Sequence, residues 1–357
     1  MLNQKVRQSN FELLRILALL GIIIMHVNGP FLGVGGGYRI FSVLENTLFN
    51  SGVSIFILIS GYFGLRGNRE KIIRFEVNLI LYSLISFVIG VIATGSFSVL
   101  ECVKSFMPVI TQKHWFMTVY MLLLIFSPFT NIAIERLSKK EFQKLIIALF
   151  VVFSVLPTLL YYHPMGDRGK GLMNLFLIYL IGVYIRKYFD TKLNIGKLIV
   201  GGTLIYLITV LLNLLVSVVL SEGASTPFAR DCSSLIIIQS VIIFLIFREI
   251  NLSSKVINFI SKQVFCITMI EGSIRMFISN RVFSVENVYY QNLPICVITI
   301  AAIVLLVGLI IGIFLDCILG KIKEVLIKAL NTIAIYIVNK CSTYKCYIRK
   351  IIIYWLH

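Results

Sequence analysis

Apolar residues run in long stretches along this chain, and basic residues collect between the stretches. A bilayer core about 30 Å thick needs about 20 apolar helical residues to cross it. On that scale the pattern predicts ten spans, near residues 11–29, 44–63, 73–94, 115–134, 143–162, 172–186, 198–220, 232–248, 264–280 and 295–319. The runs are continuous rather than alternating, which excludes the strands of an outer-membrane barrel. The predicted fold is an all-α integral membrane protein of about ten transmembrane helices.

The composition agrees with a membrane protein and excludes an ordinary soluble domain. Apolar residues make up 58% of the chain and charged residues 14%, against about 45–50% and about 25% in a typical globular protein. The first apolar run contains Arg15 and ends without a small-residue cleavage site. It is therefore interpreted as a retained span and not as a cleaved signal peptide.

The basic residues predict the orientation of the spans. Ten spans place both termini on one side, and 24 of the 33 Lys and Arg residues lie on that side, against eight on the other. By the positive-inside rule, both termini are expected in the cytoplasm of a cell-membrane protein. The net charge of +17 then needs no nucleic-acid partner to explain it.

The chain is predicted to divide near residue 320. Residues 1–320 form the polytopic membrane domain, whereas residues 321–357 mix Lys and Arg with Ile, Leu and Val. That mixture is typical of a basic amphipathic helix, so we expect a cytoplasmic tail lying on anionic membrane lipids.

The first span carries two polar side chains that point to chemistry. Arg15 and His26 are eleven residues apart, which is about 20° past three full helical turns, so they share one helix face about 16 Å apart along the axis. Glu12 lies three residues before Arg15 and is placed to neutralise it. A charged residue inside a span marks function unless it is paired or reaches water. Taken alone, a snorkelling Arg15 and a packed, hydrogen-bonded His26 remain alternatives.

Further motifs follow in order along the chain. The first span reads Phe-Glu-Leu-Leu-Arg-Ile-Leu-Ala over 11–18, with ten residues between Arg15 and His26. The second span ends in Ser-Gly-Tyr-Phe at 60–63, and a basic segment, Arg-Glu-Lys-Ile-Ile-Arg, follows at 69–74. Trp115 and Phe116 open the fourth span, which contains Pro128 further on.

In this order and spacing, the sequence resembles the acyltransferase-3 family of multi-pass membrane acyltransferases, whose mark is the arginine, ten residues and histidine of the first span. The likeness covers most of the chain. One position departs from the family pattern: Glu271 stands where such proteins often have a histidine.

The resemblance implies transfer of an acyl group, commonly acetyl, from cytoplasmic acyl-CoA to a hydroxyl of a carbohydrate or lipid-linked acceptor. His26 would take the hydroxyl proton or carry the acyl group transiently, because an imidazole with a pKa near 6.5 suits either role. Arg15, oriented by Glu12, would contact the donor or order the entrance of its channel. No bound cofactor or metal is implied.

The substrates need further contacts beyond the first span. A basic mouth would suit the polyanionic end of acyl-CoA, and Arg66, Arg69, Lys71 and Arg74 are the candidates, with simple positive-inside topology as the alternative. His114 and Trp115, at the outer end of the fourth span, are candidate substrate-binding residues. The alternative for them is an interfacial aromatic residue with a polar neighbour.

A second function remains open at this point. The chain could instead be a transporter or flippase of a lipid-linked or anionic solute. Such proteins commonly show repeated halves and interrupted helices at the membrane midplane. Residues 1–170 do not echo residues 171–340, which favours the enzyme, with acyl-CoA, a glycan acceptor and membrane lipids as partners.

Overall fold

A computed structural model describes residues 7–160, 165–220, 223–282 and 293–342, with side chains up to residue 337. In the part of the chain it describes, helices joined by loops and turns make up the fold, and there is no strand. The first seven helices are α1 (Ser9–Asn28), α2 (Gly37–Phe49), α3 (Ser51–Phe63), α4 (Arg69–Thr94), α5 (Val99–Phe106), α6 (Trp115–Arg136) and α7 (Lys139–Phe150). The others are α8 (Leu156–Leu160), α9 (Leu172–Tyr188), α10 (Ile195–Leu220), α11 (Ser234–Glu249), α12 (Lys255–Ile260), α13 (Val264–Phe277) and α14 (Leu293–Ser342).

Seven helical segments of the described chain are long and apolar enough to cross a membrane. They are Ser9–Phe31, Gly37–Phe63, Arg69–Thr94, Trp115–Arg136, Lys139–Leu160, Ile195–Leu220 and Pro294–Ile337. The predicted sixth, eighth and ninth spans coincide with α9, α11 and α13, which have 17, 16 and 14 residues. The all-helical membrane fold is therefore confirmed, while the count of ten spans and the orientation of the termini stay predictions.

The second predicted span, 44–63, begins later than the helical segment and covers a break between two helices. The helical segment starts at Gly37, and the chain turns at Asn50 between α2 and α3. The side-chain amide of Asn50 donates to the backbone carbonyl of Ala229. The break thus falls at a polar residue within an apolar run, and this residue bonds to a segment distant in sequence.

The predicted division at residue 320 falls inside α14. This helix continues from Leu293 to Ser342 without a break, a length of about 75 Å at 1.5 Å per residue. Beyond residue 320 it packs on α4: the Lys323 ammonium donates to the Tyr82 hydroxyl (3.0 Å) and to Asp316 Oδ1 (2.7 Å). The lipid-surface tail of 321–357 stays a prediction, and residues 343–357 lie outside the described residues.

Helix α1 lies between two hydrophobic clusters. Phe11, Leu14 and Ala18 pack with α3, α9 and α11, whereas Leu19 and Ile23 pack with α4, α13 and α14. The first half of α1 therefore belongs to one cluster and the second half to the other. This position puts the polar residues of α1 at the centre of the fold.

The Ser-Gly-Tyr motif marks a close crossing of α3 and α9. A Cβ added to Gly61 would lie 2.2 Å from the carbonyl oxygen of Tyr179, and one added to Gly182 would lie 2.5 Å from that of Leu58. Each glycine thus lets the opposite backbone approach closely, as small residues do in membrane helix pairs.

We expect Gly61→Ala to destabilise the protein, because overpacking a tight contact costs about 1–3 kcal/mol. The measurement is the thermal unfolding midpoint of the detergent-solubilised protein. Gly201→Ala is the matched control, since its added Cβ, also within a helix, meets nothing within 4 Å. Equal unfolding midpoints for the two variants would contradict the close crossing.

Candidate functional site

A cavity of about 500 Å³ runs beside α1. Its walls come from α1, α3, α4, α6, α13 and the turn Ser261–Gln263 that precedes α13. Arg15 and His26 lie on the same face of α1, since both line this cavity together with Glu12 and Ile22. The middle of the cavity is mainly apolar, and Val53, Phe56, Phe75, Phe116, Met117 and Met269 contribute to its wall. Polar and charged groups gather at its two ends.

At one end, His26 is held by a buried carboxylate. The Nδ1 atom of His26 lies 2.8 Å from Glu271 Oε1, and the side chain of Glu271 is only 9% exposed. Arg275 Nε donates to the other oxygen, Oε2, at 2.7 Å, and Arg275 Nη1 donates to the His26 carbonyl at 2.9 Å. These three residues form a closed ring of hydrogen bonds between α1 and α13.

The hydrogen-bond roles in this ring assign the tautomer of the neutral His26 imidazole. The guanidinium of Arg275 only donates hydrogen bonds, so the carboxylate of Glu271 is best satisfied by accepting from both of its neighbours. The Nδ1 atom of His26 then carries the hydrogen, and Nε2 is left as an acceptor. Since the His26 side chain is 48% exposed and lines the cavity, this nitrogen is accessible to a substrate.

In the sequence Glu271 is only a departure from the family pattern, whereas the structure places its carboxylate against His26. One signal was available. Glu271 and Arg275 are four residues apart in a predicted span, a spacing that pairs opposite charges on a helix face. An ionisable pair inside a span marks a functional site by default. The sequence did not reveal that α13 packs beside α1.

His114 and Trp115 line the same cavity as His26. His114 lies just before α6, and its Nε2 atom is buried without a hydrogen-bond partner among the described residues. Burial, with a smaller contribution from the charge of Lys113, lowers the pKa of His114 to about 4. His114 is therefore a neutral imidazole at ordinary pH, with a nitrogen free to bond a substrate.

At the other end, cationic side chains surround the start of α1. Arg15 Nη1 lies 2.9 Å from Glu12 Oε1, which is the pair expected from their spacing. Arg7 and Lys262 also line the cavity there. The separation between this end and His26 follows from the helix: Arg15 and His26 are about 16 Å apart along the axis.

The basic segment after α3 does not line this cavity, although the sequence suggested it as a donor mouth. Arg66 and Lys71 are exposed. Arg69 Nε donates to Asn331 Oδ1 at 3.1 Å, and Arg74 bonds Glu324 and Glu70. Two of its four cations are thus bonded to α14, and the donor-binding role of the segment stays a prediction.

The arrangement suits acyl transfer between a donor and a hydroxyl. An imidazole held by a carboxylate is the arrangement that activates hydroxyl groups as nucleophiles. Within the described residues, no three side chains of His, Cys, Asp and Glu come together as metal ligands.

Comparison with known proteins gives the family. The profile of a family described as "Acyltransferase domain" matches residues 8–318, which is nearly the whole chain. No curated protein and no solved structure matches the chain. The matched residues include both ends of the cavity, with Arg15, His26 and Glu271 among them. This membrane protein therefore belongs to the acyltransferase-3 family.

Proposed function

We propose that this acyltransferase moves an acetyl group from acyl-CoA to a hydroxyl of a cell-surface polysaccharide or its lipid-linked precursor. The observation that carries the proposal is the hydrogen bond from His26 to the buried carboxylate of Glu271 inside a cavity that also reaches Arg15. In this proposal the chain is multi-pass, both termini are cytoplasmic, and the Arg15 end of the cavity faces the cytoplasm.

His26 is proposed as the general base. The acceptor oxygen attacks the thioester carbonyl while its proton moves to Nε2 of His26. The tetrahedral intermediate then collapses, the carbon–sulfur bond breaks, and the imidazolium returns the proton to the departing thiolate. Glu271 supports this cycle because its carboxylate stabilises the imidazolium that forms. Formation of an acyl-His26 intermediate is the competing route, and the same residues would serve it.

The lining of the cavity supports a donor with a charged end and a long, uncharged arm. The pantetheine arm of acyl-CoA is narrow and only moderately polar, and the middle of the cavity is mainly apolar. If the nucleotide stays at the Arg15 end, the arm spans the distance of about 16 Å along α1 and presents the thioester to His26. Arg15, held by Glu12, then lies beside the arm near the entrance.

The acceptor is proposed to enter from the His26 end. His114 and Trp115 line the cavity there, and Lys170 Nζ lies 5.4 Å from the centre of the Trp115 ring. A neutral His114 with an unpartnered nitrogen can bond a sugar hydroxyl without adding charge beside the thioester. Trp115 offers an aromatic wall for the apolar side of a sugar ring.

The test compares surface glycans and transfer in parallel. In a strain that lacks this protein, we expect each glycan repeat to lose the mass of one acetyl group while the glycan itself persists. Purified protein should transfer labelled acetyl from acetyl-CoA to the deacetylated glycan. Loss of the whole glycan, with no transfer by the purified protein, would favour the transporter or flippase instead.

A further inference from the structure

Two basic residues outside the predicted donor mouth line the Arg15 end of the cavity. Arg7 precedes α1, and Lys262 lies in the turn Ser261–Gln263 before α13. Both line the cavity, yet they are 255 positions apart in sequence, so only the fold brings them together. Within the described residues, neither forms an ion pair with an acidic side chain, whereas Arg15 is neutralised by Glu12.

The turn that carries Lys262 is fixed on both sides. Arg7 Nη1 donates to Ser261 Oγ at 3.2 Å and to the Asn258 carbonyl at 3.4 Å. On the other flank, Gln263 Nε2 donates to Asp316 Oδ2 at 2.8 Å. Asp316 is itself bonded to Lys323 of α14. The Arg7 guanidinium and the backbone that carries Lys262 are therefore positioned before any ligand arrives, which lowers the entropic cost of binding an anion.

The charge of this end matches one part of the proposed donor. The nucleotide end of acyl-CoA carries a diphosphate and a sugar phosphate, whereas the pantetheine arm carries no charge. Arginine binds phosphate through its planar fork and lysine as a point charge. An anion bound here places the uncharged arm along the apolar middle of the cavity, pointing to His26.

We infer that Arg7 and Lys262 form the phosphate-binding mouth for the nucleotide end of acyl-CoA. The inference rests on the proposed function, and it assigns the mouth to these two residues in place of the basic segment 66–74, which does not line the cavity. The Arg7–Ser261 bond makes the site a joint one, built from the start of α1 and the turn before α13.

The test is direct titration of the purified full-length protein with coenzyme A and, separately, with pantetheine. The variant is R7Q/K262Q, because glutamine removes each charge and keeps a side chain able to bond Ser261. Charge-assisted hydrogen bonds to phosphate contribute to the binding free energy, and the variant removes both charges. We therefore expect the Kd for coenzyme A to rise at least about 30-fold. Pantetheine should bind with lower affinity than coenzyme A. Its Kd should change less than about twofold in the variant, because pantetheine has no phosphate.

Lys255→Gln is the matched control, since Lys255 is exposed at the start of α12 and does not line the cavity. It should leave both dissociation constants unchanged. An unchanged Kd for coenzyme A in R7Q/K262Q overturns the inference. An equal loss of affinity for coenzyme A and pantetheine also overturns it, as does a loss of coenzyme A affinity that occurs in R66Q/K71Q and not in R7Q/K262Q. Failure of wild-type protein to bind coenzyme A also overturns it. If the protein binds coenzyme A but transfers no acetyl group, the proposed function is rejected. The dissociation constants then still decide whether Arg7 and Lys262 form the phosphate-binding mouth.

Discussion

Replacing His26 by alanine or glutamine is expected to lower acetyl transfer by about 10²- to 10⁴-fold, the contribution of a positioned general base. No other imidazole in the cavity is held by a carboxylate among the described residues, and His114 is buried with its nitrogen unpartnered. The measurement is transfer of labelled acetyl from acetyl-CoA by purified protein. Binding of coenzyme A should stay near wild type, because its charged end is proposed to lie about 16 Å away along α1.

Two variants at one position separate chemistry from packing. In His26→Ala the Oε1 atom of Glu271 loses its hydrogen-bond donor while Arg275 stays paired with Oε2, and leaving a buried acceptor unsatisfied destabilises a protein. His26→Gln can still donate to Glu271 but cannot accept a proton at ordinary pH. Equal loss of transfer in both, with a near-normal unfolding midpoint for His26→Gln, is the expected result. Wild-type transfer by either variant would show that His26 is not the base.

Most of the helical fold follows from the sequence because the signal is local. Apolar runs fix where helices form, and residues 73–94 and 198–220 were placed within a few positions of α4 and α10. Other features of the helices involve tertiary contacts, which the sequence does not show. The break between α2 and α3 falls at Asn50, whose side-chain amide donates to the carbonyl of Ala229, far away in sequence. The continuation of α14 past residue 320 accompanies contacts of Lys323 and Glu324 with α4.

In the candidate site, too, the sequence predicts what depends on one helix and does not predict what depends on contacts between helices. The relation between Arg15 and His26 follows from helix geometry alone, because both lie on α1. The partner of His26 could not be predicted, since Glu271 is 245 residues away and nothing local shows that α13 packs beside α1. The same holds for Arg7 and Lys262. A basic segment such as 69–74 is conspicuous in sequence, yet Arg69 and Arg74 bond to α14.

Glu271→Gln is expected to lower the turnover number by about 10²-fold or more, close to the loss for His26 itself. The reason lies in the hydrogen-bond roles around the amide. Arg275 Nε occupies one oxygen of Glu271 at 2.7 Å, and as a donor it requires the glutamine carbonyl there. The glutamine NH₂ then faces Nδ1 of His26 and donates to it. The proton of the neutral imidazole then lies on Nε2. This nitrogen can no longer take the proton of the substrate hydroxyl.

The deciding test is a double variant, because Glu271 is a positioning residue and its replacement could also lower activity through folding. In E271Q/R275Q the requirement imposed by Arg275 is gone, so the amide can rotate and accept from Nδ1. We therefore expect the double variant to turn over faster than E271Q alone, with KM for acetyl-CoA unchanged in both. Simple destabilisation predicts the opposite order, since removing a second bond of the ring would lower activity and unfolding midpoint further. A turnover number for E271Q within about threefold of wild type would show that the carboxylate does not set the tautomer of His26.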